Sequence, residues 1–230
     1  ADQAGAENPV VGSVLRANVY RSLGEFDKAV AELQARMEES PSIALVQQTY
    51  GMLTAAGRRD EAEALLASWL GDNPDDVGIL QLLSAQYIQD QRMEEASILL
   101  ERAYALQPNN VIVLNNLAWL RYELERPGAM QLARRAYRMA PNTPAIVDTL
   151  GWIMVREGDV EEGLKLLYAA ADAAPDSGDI AYHVAYALHR TGKTQEAIDL
   201  MTRTLAADIP EQSFTEREKA EALLEEMREG

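Results

Sequence analysis

Residues 77–110, VGILQLLSAQYIQDQRMEEASILLERAYALQPNN, contain the whole plan of this chain. Leu80, Leu83 and Tyr87 follow one another at helical spacing, so one face of a first helix is apolar. Gln89 to Arg92 break the pattern with polar residues. Met93, Ala96, Leu99, Leu100 and Ala103 then form a second stripe, which Pro108, Asn109 and Asn110 end. Two antiparallel helices of roughly a dozen residues each follow, too short to hold alone and stable only when stacked on neighbours.

The pattern recurs along the chain. Pro41, Pro74, Pro108, Pro141 and Pro175 are separated by 33, 34, 33 and 34 residues. Ala29, Ala62, Ala96, Ala129, Gly163 and Ala197 keep the same beat, the first five each twelve residues ahead of a proline. A small residue is needed there because the second helix crosses the first at that point. Gly24, Gly57, Gly158 and Gly192 fall in the turn between the paired helices, where a left-handed C-cap favours glycine. Gln91 stands in the third turn, and Arg126-Pro127-Gly128 predicts a distorted fourth corner. Asn8-Pro9 and Thr143-Pro144 read as N-caps followed by a proline in the first helical turn.

The expected architecture is all-α, with six helix pairs at 10–42, 43–76, 77–110, 111–143, 144–177 and 178–211. Residues 1–9 read as an N-terminal extension or the end of a preceding repeat, and 212–230 as a C-terminal capping helix. Ala220, Leu223, Leu224 and Met227 give that helix one apolar stripe, Glu216, Arg217, Glu221, Glu225 and Arg228 give it a charged face, and Thr215 with Glu218 fits a capping box.

Composition sets limits on function. The chain has 230 residues with 21 basic and 37 acidic side chains, a net charge of −16, so nucleic acid and anionic membranes are poor partners. It has no cysteine, which excludes disulfides, thiolate chemistry and cysteine-ligated zinc. No apolar run approaches the ~18 residues of a membrane helix. The opening ADQAGAEN has neither an initiator Met nor a signal-peptide pattern, so the chain reads as a piece of something longer.

Helix pairs of this period, with these small residues and a closing proline, resemble tetratricopeptide (TPR) repeats over about 10–211. The stretches NNLAWL (115–120), AIVDTLGWIMVREGD (145–159), YHVAYALHRTGKTQEA (182–197) and FTEREKAEALL (214–224) are similar to the C-terminal part of TPR lipoproteins from bacterial exosortase (PEP-CTERM) and exopolysaccharide systems. The resemblance implies a right-handed superhelix and a periplasmic or outer-membrane-associated scaffold, although the lipid-bearing Cys of such lipoproteins is missing here. It also implies a concave groove lined by the first helix of each pair. Carried onto the last three pairs, the groove positions are Asn115, Trp119, Tyr122 and Glu123, then Asp148, Trp152, Val155 and Arg156, then Tyr182, Tyr186, His189 and Arg190. The matching positions in pairs two and three are small or neutral: Gln47, Gly51, Thr54 and Ala55, then Gln81, Ala85, Ile88 and Gln89.

Rings beside amide, carboxylate and guanidinium groups suit an extended peptide or a sugar chain. The other reading of Trp119 and Trp152 is packing between adjacent first helices. Some TPR domains grip C-terminal carboxylates with Lys and Asn; Val14 and Asn18 do not provide that clamp, but Arg156 and Arg190 occupy equivalent positions and can hold one anionic group. ALHRTGKT (187–194) meets a loose phosphate-loop pattern, but it falls in an inter-helix turn rather than between a strand and a helix. His183 and His189 lie six apart on different helix faces, which argues against a shared metal, and His183 reads as packing. No nucleophile, acid–base pair or metal cage is evident. The expectation is a non-catalytic scaffold without a cofactor that binds a protein segment in the groove. The alternatives are glycan binding during polymer export and self-assembly without a ligand.

Overall fold

The computed structural model describes residues 9–210 and 213–229. The predicted cap at Asn8 and the extreme N-terminal extension fall outside these residues. Among the described residues there are thirteen helices and no strand. They divide into two compact units, residues 1–106 and 107–230, a division that the repeat period did not announce.

The first unit holds α1 (Pro9–Ser22), α2 (Phe26–Glu39), α3 (Ile43–Ala55), α4 (Arg59–Asp72), α5 (Val77–Gln89) and α6 (Met93–Leu106), each packed on the next. Its buried interior is largely aliphatic and falls into clusters that each join one pair to the next. Ala17, Ala29, Leu33, Leu45, Met52, Leu53 and Ala62 form one cluster, and Val46, Leu66, Ile79 and Leu83 the next.

The second unit holds α7 (Val111–Glu123), α8 (Ala129–Met139), α9 (Pro144–Glu157), α10 (Val160–Ala173), α11 (Gly178–Arg190), α12 (Thr194–Ala206) and α13 (Arg217–Glu229). The first helices α7, α9 and α11 touch in sequence, and α13 packs on both α11 and α12. Its buried face is the predicted stripe of Ala220, Leu223, Leu224 and Met227.

Local chemistry accounts for the helix boundaries. Each comb proline sits in the link between pairs, and a polar side chain soon after it starts the next helix. Ser42 accepts from the Leu45 amide, Asp76 from Ile79, Asn110 from Ile112 and Val113, and Ser177 from Ile180. These caps satisfy amides that a helix start leaves open. Thr143 occupies the N-cap before Pro144 without a side-chain cap bond.

In the turns within pairs the backbone is left-handed even where glycine is missing: φ is 58° at Gln91 and 53° at Glu125. A Cβ in that region costs of order 1–2 kcal/mol, so both turns are strained. The fourth corner is distorted as predicted. A second left-handed residue, Gly128, precedes α8, which has 11 residues where its neighbours have 13 or 14.

The crossing of α9 and α10 is closer than an alanine allows. A methyl group on Gly163 would stand 2.6 Å from the Gly151 carbonyl oxygen and 2.7 Å from Val155 Cγ2. The start of α13 also departs from expectation. Thr215 Oγ1 donates to Asp179 Oδ2 at 2.9 Å and the Glu216 amide donates to Asp179 Oδ1 at 2.8 Å. An aspartate of α11 thus takes the place of the expected Thr215–Glu218 capping box, tying the terminal helix to the last repeat.

Candidate functional site

The face shared by α7, α9 and α11 gathers around Arg156. This arginine lies near the C-terminal end of α9 and is exposed. Its guanidinium carbon is 5.8 Å from the ring centroid of Tyr122, 5.1 Å from Trp152 and 5.5 Å from Tyr186. Those rings come from three successive first helices, so the helix stacking itself assembles the cluster. Each ring presents the negative face of its quadrupole to the cation.

Arg190 joins the cluster from α11. Its guanidinium carbon is 6.0 Å from the Tyr186 centroid, and Nη1 donates to the Tyr186 hydroxyl at 3.3 Å. A cleft of about 540 Å³ opens beside Arg156, lined by Tyr122, Glu123, Pro127, Met130 and Glu157 among others.

Under this surface lies a buried charge network. His183 is 4% exposed. Its Nδ1 is 2.8 Å from Asp148 Oδ1 and its Nε2 is 2.8 Å from Glu216 Oε2. Carboxylates only accept, so both ring nitrogens donate and His183 is an imidazolium. Burial alone would lower its pKa, but the charge and hydrogen bond of Asp148 and the bond to Glu216 outweigh it, pushing the pKa up to about 10. Burial would likewise raise Glu216, yet the bond and charge of His183, with Lys219 at 2.7 Å, hold its pKa down at about 2. The imidazolium lies flat on Trp152, with ring centroids 4.1 Å apart and planes at 17°.

The network supports the surface rings. Trp152 meets Tyr186 edge-on at 5.0 Å and Tyr182 at 5.8 Å. Burial pushes the Tyr182 hydroxyl up to about 12. A chain of contacts therefore leads from Glu216 through His183 and Trp152 to Tyr186 and Arg156.

The predicted groove residues separate into three groups. Tyr122, Glu123, Arg156, Tyr186 and Arg190 are exposed or half-buried around the cluster. Asp148, Trp152, Val155 and Tyr182 do not line a groove; their exposures of 9%, 2%, 0% and 6% place them beneath it as support. Trp152 therefore follows the packing reading. Asn115 and Trp119 are half-buried on α7 and no ring contact joins Trp119 to the cluster, while His189 turns to its own helix end, where Nδ1 meets Thr194 Oγ1 at 3.0 Å.

His183 is packed, as its sequence reading has it, but its two ion pairs are not legible there, and Glu216 reads as part of a solvated face although it lies in the network. The available signal was spacing: Asp148, His183 and Glu216 stand 35 and 33 residues apart, one repeat each.

Residues 149–211 match the family model described as tetratricopeptide repeat. Among solved structures, a tetratricopeptide repeat protein from Parabacteroides merdae superposes with a TM-score of 0.70 at 16% identity, covering 95% of this chain and 96% of its own. A chain of the APC/C Cut9–Hcn1 hetero-tetramer gives 0.76 at 14% identity, covering 98% of this chain and 44% of its own. YrrB, described as a TPR protein with an unusual peptide-binding site, gives 0.55 at 16% identity over 81% of this chain and 97% of its own. No curated protein matches the chain in sequence. At these identities the likeness is one of fold: the chain is built as an all-helical tetratricopeptide-repeat solenoid, with the repeat's sequence signature in residues 149–211.

Proposed function

We propose that the chain is a non-catalytic scaffold that binds an extended segment of a partner protein across α7, α9 and α11. The observation that carries this reading is the cluster of Tyr122, Arg156 and Tyr186, which three successive first helices supply to one accessible face. Rigid aromatic rings offer contact area at little entropic cost, and Trp, Tyr and Arg are the residue types that dominate binding hot spots. The peptide-binding site named for YrrB is a precedent on the same fold. The four stretches that resemble exosortase-associated proteins supply the proposed setting, an envelope assembly at the periplasm or outer membrane. Glycan binding loses its main platform with Trp152 buried.

The test is selection of peptides from a random library on the whole chain, followed by titration against variants. Tyr122→Ala and Tyr186→Ala should each weaken the selected peptide, whereas Tyr168→Ala, at an exposed position of α10, should not. Equal binding by all three variants would refute this placement.

A second reading, self-association, has one observation in its favour. Val11, Leu15, Val19 and Leu23 recur every four residues along and just beyond α1 and are 39–66% exposed. A partly exposed apolar stripe of this kind favours association. Light scattering that stays monomeric over a wide concentration range would dismiss it.

A further inference from the structure

We infer that Arg156 is the receptor for one carboxylate, the side chain of an internal Asp or Glu in the bound partner segment. The inference rests on the binding reading above and supplies its chemistry.

Several arginines of this acidic chain have their charge answered from within. Arg16, Arg36, Arg58, Arg59 and Arg92 all pair with carboxylates. Arg156 is different. Among the described residues it has no ion pair and donates no hydrogen bond, and rings alone hold it. A guanidinium has five N–H donors in a planar fork that matches a carboxylate two-on-two. Rings position the cation while leaving its donors free, so little entropy is lost when a carboxylate arrives.

The surroundings select one carboxylate rather than a polyanion. Glu123 and Glu157 border the same cleft, and the chain as a whole carries −16. A run of negative charges would be repelled, whereas a single acid within an otherwise neutral stretch reaches the guanidinium. Tyr122 and Tyr186 come from the helices on either side of α9, so a segment that touches both continues past Arg156 in both directions. The acid is therefore inside the segment and not at its C-terminus. Arg190, against the same Tyr186 ring, extends the receptor on the α11 side.

The experiment selects a random peptide library on the wild type, Arg156→Gln and Arg156→Lys. The expected result is a shared internal Asp or Glu among wild-type binders that disappears with Arg156→Gln. The best wild-type peptide, made with blocked ends, should lose about 10- to 100-fold in affinity when its acid becomes Gln, the range of a charge-assisted hydrogen bond. Against Arg156→Gln, the acid and Gln forms of the peptide should bind equally. Arg156→Lys, which keeps charge but not the fork, should fall between. Arg156 is exposed, so an unchanged melting curve will show that the variants remain folded.

Binders without any shared acid would overturn the inference while leaving peptide binding in place. So would an acid preference that survives Arg156→Gln, or binding that needs a free C-terminus. Enrichment of polyanionic peptides would overturn the single-carboxylate assignment. Failure to recover any binder would overturn both the inference and the reading beneath it.

Discussion

Replacing His183 with Gln should release the terminal helix. The imidazolium neutralises two carboxylates from different elements, Asp148 of α9 and Glu216 just ahead of α13, and all three side chains are largely shielded from water. Gln matches the size but carries no charge, so both acids lose their buried cation and Glu216 keeps only Lys219. Breaking a buried ion pair by removing one partner costs about 3–5 kcal/mol.

The pH dependence follows from the same groups. The folded-state pKa of His183 lies above its ordinary value of 6.5, so its stabilisation is fully present below pH 6.5 and is lost as pH rises towards about 10. Glu216 is lowered, so its contribution is present above 4.5 and is lost as pH falls towards about 2. The network is therefore strongest between pH 4.5 and 6.5. Repeat arrays can open in parts, so the assay is hydrogen exchange over 213–229, read beside urea unfolding. In the variant, amides of α13 should lose protection, and the stability gap to wild type should shrink from near pH 6.5 towards 10. A loss below about 1 kcal/mol, or a gap that does not change with pH, would refute the reasoning.

Three further outcomes follow from packing and backbone geometry. Trp152→Ala should cost about 3–5 kcal/mol in unfolding measurements, because the indole is 2% exposed and supports three neighbouring rings. Gly178→Ala should expose 213–229 to protease, since the added methyl would stand 2.2 Å from Phe214 Cγ and force that ring from its seat; a cleavage pattern identical to wild type would contradict this. Gln91→Gly and Glu125→Gly should each raise the melting temperature by relieving a positive φ, together gaining about 1–2 kcal/mol.

The fold was legible because its constraints repeat. A crossing that admits only a small side chain, a turn that needs a left-handed residue and a link that stops a helix each return every 33 or 34 residues, so Ala96, Gly57 and Pro108 can be read against their copies. The apolar stripe of α13 was equally plain. The caps at Ser42, Asp76, Asn110 and Ser177 recur on the same beat, one or two residues after the comb prolines.

The site was legible only in part. Helical position puts Trp152 on the face that meets neighbouring first helices, but the pattern does not say how deeply it lies. That depth depends on His183, whose own position depends on Glu216 in an irregular stretch outside the comb. A charged residue on a helix reads as solvated until its partners are known, and these partners lie on three elements. Gly178 illustrates the same limit: it opens α11 as an ordinary helix residue, and only the fold reveals that Phe214 fills the space where its side chain would be.

Photo-crosslinking tests the central claim most directly. A benzophenone amino acid would replace Tyr186 in one sample and Tyr168 in another, each irradiated with the same library-selected peptide. Covalent capture from position 186 and not from 168 is the predicted result; capture from 168 alone, or equally from both, would contradict binding across α7, α9 and α11.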